Sequence, residues 1–194
     1  LDYMCMKAEA KTDVPHAPRM FVELEVRDRD GKVIQRHKQE AKSFLYNLMS
    51  ILYGLFNNEL NVVVQQPNSS CSTATVNSGT QGWLGIIAPS GTDSYGILIG
   101  SGTNPNSVTT CQLQSPISNS TMAYGSVSEP TQLTTNSTNN TVYFQIQRQF
   151  TNNSGSSVTV TEVGIYAYGN GSPFALARDV LSSSVSVPNG GTLT

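Results

Sequence analysis

The residues that could do chemistry in this chain are few and scattered. Both histidines, His16 and His37, lie in the charged N-terminal part, and His37 stands beside Arg36, Lys38 and Gln39, a solvated setting. Beyond residue 60 only Asp93, Glu129, Arg148, Glu162, Arg178 and Asp179 are charged. A glycosidase needs two carboxylates flanking a cleft. Asp93 and Glu162 could meet only through folding, and their expected places are solvent and a strand edge. Arg178 and Asp179 predict a local charge contact or surface pair. No GxSxG, HExxH or P-loop pattern occurs, so the motifs of a nucleophile elbow, a zincin helix and a Walker loop are missing. Residues 95–103 are glycine-rich but lack the lysine and following helical pattern of a phosphate loop, so they predict a strand running into a turn. We expect no catalytic residue, no cofactor and no metal site.

The remaining candidates are covalent. Cys71 and Cys111 lie 40 residues apart in a polar, Ser/Thr-rich stretch and are candidates for a disulfide, with Cys5 left free or paired with another chain. Three reduced thiols are the alternative. The cysteines form no CxxC and no cluster with histidine, which argues against zinc. Asn-X-Ser/Thr sequons at Asn68, Asn119, Asn136, Asn139 and Asn152 are candidate glycosylation sites if the chain is exported by an archaeon or eukaryote, and unmodified loop asparagines otherwise.

The elements that position these residues follow from a sharp asymmetry. Residues 1–60 carry 18 of the 24 charged side chains, whereas 53 of the last 134 residues are Ser, Thr or Asn. A surface wetted by hydroxyls and amides suits a shell, fibre or secreted module surrounded by copies of itself. The net charge of −2 offers no footprint for nucleic acid. The longest apolar run, residues 44–56, is too short for a bilayer, which takes about 20 residues. The first residues lack the basic-then-apolar pattern of a signal peptide.

Residues 1–19, with Pro15 and Pro18, predict an extended arm. Residues 21–37 predict a β-hairpin: Val22, Leu24 and Val26 alternate with Glu23, Glu25 and Arg27, and Asp30-Gly31 supplies the turn. One helix is expected over 39–56, its stripe formed by Phe44, Leu48, Ile51, Leu52 and Leu55 and widened by Leu45, Met49, Tyr53 and Phe56. A surface that wide must be covered on more than one side. Strands are expected at 62–65, 83–88, 95–99, 122–127, 141–150, 158–168, 174–178 and 184–187, with polar Gly, Pro, Asn and Ser loops between them. Residues 141–168 predict the clearest hairpin, turning at 152–155, with Arg148 intruding on its apolar face and a parity switch near Thr161-Glu162 that signals a β-bulge. The aromatics, Trp83 among them, fall mainly in strand patterns and predict core packing. The fold class is therefore mainly β: an antiparallel sandwich or jelly roll at 61–194, preceded by the arm at 1–19 and by the hairpin and apolar helix at 20–60.

The phrases YGILIGSGT at 95–103, RQFTNNSG at 148–155, VTEVGIY at 160–166, ARD at 177–179 and VPNGGTL at 187–193 resemble those of β-rich virion structural proteins of tailed phages, archaeal viruses and proviruses. The order of charged hairpin, basic-to-apolar helix and β-domain is also similar. The resemblance covers residues 22–193 and implies a structural role in capsid, tail or fibre, with no catalytic residue carried over. The expected partners are copies of the chain, and other virion proteins, met through Tyr3, Met4 and Met6 of the arm and Phe44, Leu48, Leu52, Leu55 and Phe56 of the helix. A prokaryotic extracellular filament or surface-layer subunit using donor-strand contacts shares the same physics. A secreted carbohydrate-binding or adhesin module is a third reading and predicts an exposed aromatic row.

Overall fold

The computed structural model describes residues 19–41, 43–57, 59, 61–77, 84–107, 109–136, 138 and 141–194. The charged hairpin forms as expected. Strand β1 (Phe21–Arg27) pairs with β2 (Val33–Glu40), and Asp28 Oδ1 accepts the N–H groups of Asp30 and Lys32 around Gly31, whose φ of +80° suits glycine.

Strand β2 continues into residues expected to be helical. Gln35, His37 and Gln39 point inward while Ile34, Arg36, Lys38 and Glu40 point out, a period of two. The inward amides act as a surrogate strand for the edge of a neighbouring sheet. Gln35 Nε2 donates to Ser184 O and its Oε1 accepts from Ser186 N; Gln39 Nε2 donates to Val180 O and its Oε1 accepts from Ser182 N. The helix α1 (Tyr46–Phe56) starts later than expected, because Phe44 and Leu45 are held as extended chain against Ala177 and Leu176.

After α1, β3 (Asn61–Gln65) and β4 (Thr73–Asn77) make a two-stranded hairpin packed on the helix. Strands β5 (Gly96–Gly100) and β6 (Met122–Val127) follow, then a small hairpin of β7 (Thr134–Asn136) and β8 (Thr141–Tyr143). The chain ends with β9 (Arg148–Asn152), β10 (Val158–Gly169), β11 (Ser172–Val187) and β12 (Thr192–Leu193). Two antiparallel sheets, ordered β2-β1-β12-β9-β6 and β11-β10-β5, share one core in a sandwich-like arrangement. Val26, Met122, Phe150 and Leu193 of the first sheet meet Ile99, Val160, Tyr166 and Val185 of the second. Each such side chain contributes about 1.5–3 kcal/mol through burial. A second cluster, Ile51, Val62, Val64, Val76, Ala167 and Phe174, seats α1 on β3, β4 and the second sheet.

Three strand expectations are corrected. Residues 141–150 divide into β8 and β9. The hairpin expected at 141–168 does not form, because β9 and β10 belong to different sheets and residues 153–157 carry the chain between them. The fully buried Asn152 organises that crossing: Nδ2 donates to Ser156 O and Val187 O, and Oδ1 accepts from Ser154 N. Residues 84–88 form no strand beyond a single bridge between Gly85 and Tyr168, and Trp83 lies outside the described residues. The expected bulge is present as a register shift between Val160 and Glu162, and the two strands expected at 174–178 and 184–187 are one continuous β11.

Candidate functional site

Of the six charged residues beyond residue 60, Arg148, Glu162, Arg178 and Asp179 are buried and bonded within the fold, while Asp93 and Glu129 are exposed. Glu162 and Arg178 form an ion pair at 2.7 Å with side chains 0% and 2% exposed. Glu162 Oε1 also accepts from Gly102 N and Ser115 N, and Oε2 from Gln114 N. Arg178 donates to Asn106 Oδ1 and Asn104 O. Breaking one partner of so enclosed a pair leaves a buried charge uncompensated, so the pair pins the 101–116 loop to β10 and β11. It also explains the glycine-rich phrase at 95–103, since a Cβ at Gly100 or Gly102 would collide with the Glu162 carboxylate. Glu162 is thus no strand-edge residue, and Arg178 does not pair with Asp179, which accepts instead from Gln39 Nε2. Asp93 is exposed and holds Asn119 N at 2.9 Å. His37 is half-buried between Gln39 Oε1 and Ser183 Oγ, and His16 lies outside the described residues.

Arg148 is buried without any carboxylate. Its guanidinium donates to five backbone carbonyls: Gly125, Tyr95, Ile97, Pro89 and Thr92. It also lies 4.6 Å from the centre of the Tyr124 ring. Desolvation holds its pKa below the usual arginine value. The group closes the outer edge of β5 and the bulge in β6 with one side chain. Tyr124 donates to Ile117 O at 2.6 Å, and burial pushes its phenol up to about 12; burial also raises the Tyr166 phenol, which accepts from Leu113 N.

Cys71 and Cys111 are joined, with Cα atoms 5.8 Å apart, tying the β3–β4 connection to the 101–116 loop; Cys5 lies outside the described residues. Among the sequons, Asn68 Oδ1 holds Ser70 N and Ser72 N, Asn119 Oδ1 holds Tyr124 N, and Asn152 is sealed. Asn136 stands exposed at the tip of the β7–β8 hairpin, and Asn139 lies outside the described residues.

What remains is a surface. The helix turns Asn47, Ile51 and Gly54 inward, at i, i+4 and i+7. Asn47 Nδ2 donates to Gln65 O and Ala175 O while its Oδ1 accepts from Gln65 N, so one amide bolts the first helical turn to both β3 and β11. Gly54 lets Val62 press against the helix backbone, where a Cβ would overlap it. No side chain caps the N-terminus and no charge complements either end. A helix of 11 residues is marginal by itself, so packing on β3 and β11 holds it. Its opposite side is a continuous apolar stripe: Tyr46, Met49 (57% exposed), Tyr53 (64%) and Phe56 (89%), flanked by Leu52 and Leu55. At about 200 Å² for a whole large side chain, these six expose roughly 700 Å², above the range of about 300–600 Å² usual for a monomer's largest apolar patch.

Of the expected interface residues, Leu52, Leu55 and Phe56 lie on this face; Phe44 is exposed beside its N-terminal end and Leu48 is half-buried. Tyr3, Met4 and Met6 lie outside the described residues. Tyr46, Met49 and Tyr53 belong to the face but were not among those candidates, because apolar spacing cannot show that an asparagine and a glycine mark the buried side. No helix among the described residues is long and apolar enough to cross a membrane. No family model, no curated protein and no solved structure matches this chain.

Proposed function

We propose that the chain is a non-enzymatic, self-assembling structural subunit of a virus particle, in its capsid, tail or fibre, whose copies cover one another's helix faces. The observation that carries this reading is the exposed Tyr46–Met49–Tyr53–Phe56 stripe on a helix whose other side is already satisfied. Burying roughly 700 Å² at about 25 cal/mol per Å² gives on the order of 17 kcal/mol gross per face, from which association costs of several kcal/mol or more are subtracted. Strand exchange has little room in the two main sheets. The β5 edge is closed by Arg148 and Ile117, the β6 edge by Ala88 and Gly91, and the β11 edge by Gln35, Gln39 and Leu45. Only the β2 edge lies open among the described residues of those sheets, with Arg36, Lys38 and Glu40 facing out, charges that discourage indiscriminate pairing. An incoming arm therefore adds at β2.

Sedimentation velocity over a hundredfold concentration range, with electron microscopy of the heaviest fraction, tests this. Concentration-dependent assemblies of regular shape are expected. A monomer at every concentration overturns it.

The disulfide favours a second reading, a subunit of an extracellular filament or surface layer, because such bonds persist in oxidising compartments. The two readings share the helix contact and differ in whether the native assembly is found in particles or on cells.

A further inference from the structure

The Cys71–Cys111 bond joins two parts of the molecule that are held very differently. On the Cys111 side, the 101–116 loop is anchored without it. Glu162 accepts the N–H groups of Gly102, Gln114 and Ser115, Arg178 donates to Asn104 O and Asn106 Oδ1, and the Tyr166 hydroxyl accepts from Leu113 N. On the Cys71 side lies the turn of the β3–β4 hairpin, which pairs with no strand of the two main sheets among the described residues. A two-stranded hairpin is marginal by itself, and so is the 11-residue helix packed on it. This α1–β3–β4 unit meets the sandwich at Ala167 and Phe174, and through bonds from Asn47 to Ala175 O and from Gln66 Nε2 to Ser172 Oγ.

Asn47 also bonds Gln65, where β3 enters the turn, so the disulfide clamps the same end of the unit as the first turn of the helix. Cys71 stands at φ +46°, a left-handed conformation uncommon for a residue with a side chain. It is also the more accessible sulfur: Cys71 is half-buried, whereas Cys111 is 2% exposed.

We propose that this bond is a redox latch on the assembly face. Closed, it seats α1 and its apolar stripe against the sandwich; open, it lets the α1–β3–β4 unit loosen while the sandwich stays folded. A face seated in a fraction of the molecules binds with an affinity lowered by that fraction, so copies stay dispersed in a reducing compartment and assemble in an oxidising one. This rests on the self-assembly reading and adds its regulation. To open the latch, a dithiol's thiolate attacks Cys71 Sγ, the sulfur–sulfur bond breaks and Cys111 leaves as a thiolate. The second thiolate of the dithiol then displaces Cys71 and closes a cyclic disulfide, and each cysteine takes up a proton. The dithiol is oxidised and the protein bond reduced by one electron pair, and oxidised glutathione reverses the exchange by accepting that pair.

The test uses the full chain carrying C5S, which excludes bonds between copies through Cys5, in its oxidised form, after dithiothreitol, and after reoxidation with oxidised glutathione. Sedimentation reads association, and hydrogen exchange with mass spectrometry reads local opening. Reduction should weaken association at least about tenfold and speed exchange in α1, β3 and β4 at least about tenfold, while Gly102, Gln114 and Ser115 keep their protection. Reoxidation should restore both, and C5S/C71S/C111S should match the reduced chain and ignore the reductant. Unchanged exchange in the helix unit overturns the proposal, and so does equal acceleration in the 101–116 loop, which would make the bond a staple for the whole domain. Equal association of the oxidised and reduced chains removes the latch and leaves the helix contact standing. An oxidised chain that never associates removes the self-assembly reading and the latch with it.

Discussion

Replacing Arg148 by methionine removes the one side chain that serves five carbonyls on three separate segments. An orphaned buried acceptor costs about 1–3 kcal/mol, so five of them set a gross loss of at least about 5 kcal/mol. Two effects reduce it. The desolvated cation no longer has to be buried, which returns a few kcal/mol, and the groove lined by Gln147, Gln149 and Thr194 beside Arg148 admits water to some of the carbonyls. Buried ion pairs are often replaced by apolar groups at no loss, but only when both partners go; here the partners are backbone and stay. The net expectation is a loss of about 4 kcal/mol, or about 8–16 °C in Tm for a chain of this size. Arg148→Lys keeps the charge but has three donors on a point-like head, and should fall between the two. Urea unfolding at constant m-value reads the differences, and light scattering should rise for Arg148→Met as the β5 edge opens. A methionine variant as stable as the parent would refute the claim that this guanidinium closes the edge.

Other outcomes follow from the same structure. Removing the disulfide with C71S/C111S should cost about 4 kcal/mol on the chain-entropy model for a loop of 40 residues, seen as a lower urea midpoint that reductant no longer moves. Stability should fall as pH rises through about 10 to 12, because the unfolded phenols ionise near 10 while Tyr124 holds its proton to about 12 and Tyr166 is also raised. The Tyr124 share is on the order of 3 kcal/mol, and a Tyr124→Phe variant should show a shallower decline in alkaline melts. Secreted from a glycosylating host, the chain should carry glycan at Asn136 and none at Asn152, by peptide mass spectrometry; a modified Asn152 in folded protein would contradict the sealed crossing between the sheets.

How much of this was legible in the sequence differs by element. The β1–β2 hairpin declared itself through alternation and Asp30-Gly31, and the bulge through the parity switch at Thr161-Glu162, because both are local. The sheet partners of β9 and β10 were hidden, since residues 152–155 carry ordinary turn chemistry and the chain is diverted by long-range bonds, from Asn152 Nδ2 to Val187 O and from Gly155 N to Asn189 Oδ1. The helix was legible as apolar. Its start and its inward side were not, because Gln39 is claimed by β11 and the buried positions are Asn47 and Gly54. Charged residues default to the surface, so Glu162 was placed at an edge. Arg148 carried the one available warning: it sits in strand parity with Phe150, on the inward face.

The most direct measurement of the central claim is sedimentation equilibrium of the parent against M49S/Y53S/F56S, with urea unfolding of each. Cover of the helix by sister copies predicts that the triple variant is monomeric where the parent associates, and that its unfolding free energy per monomer stays within about 1 kcal/mol of the parent's, since exposed positions rarely contribute more. Unchanged association, or a monomer that loses stability as Ile51→Ala should (about 2–5 kcal/mol), would mean that this face already belongs to its own domain.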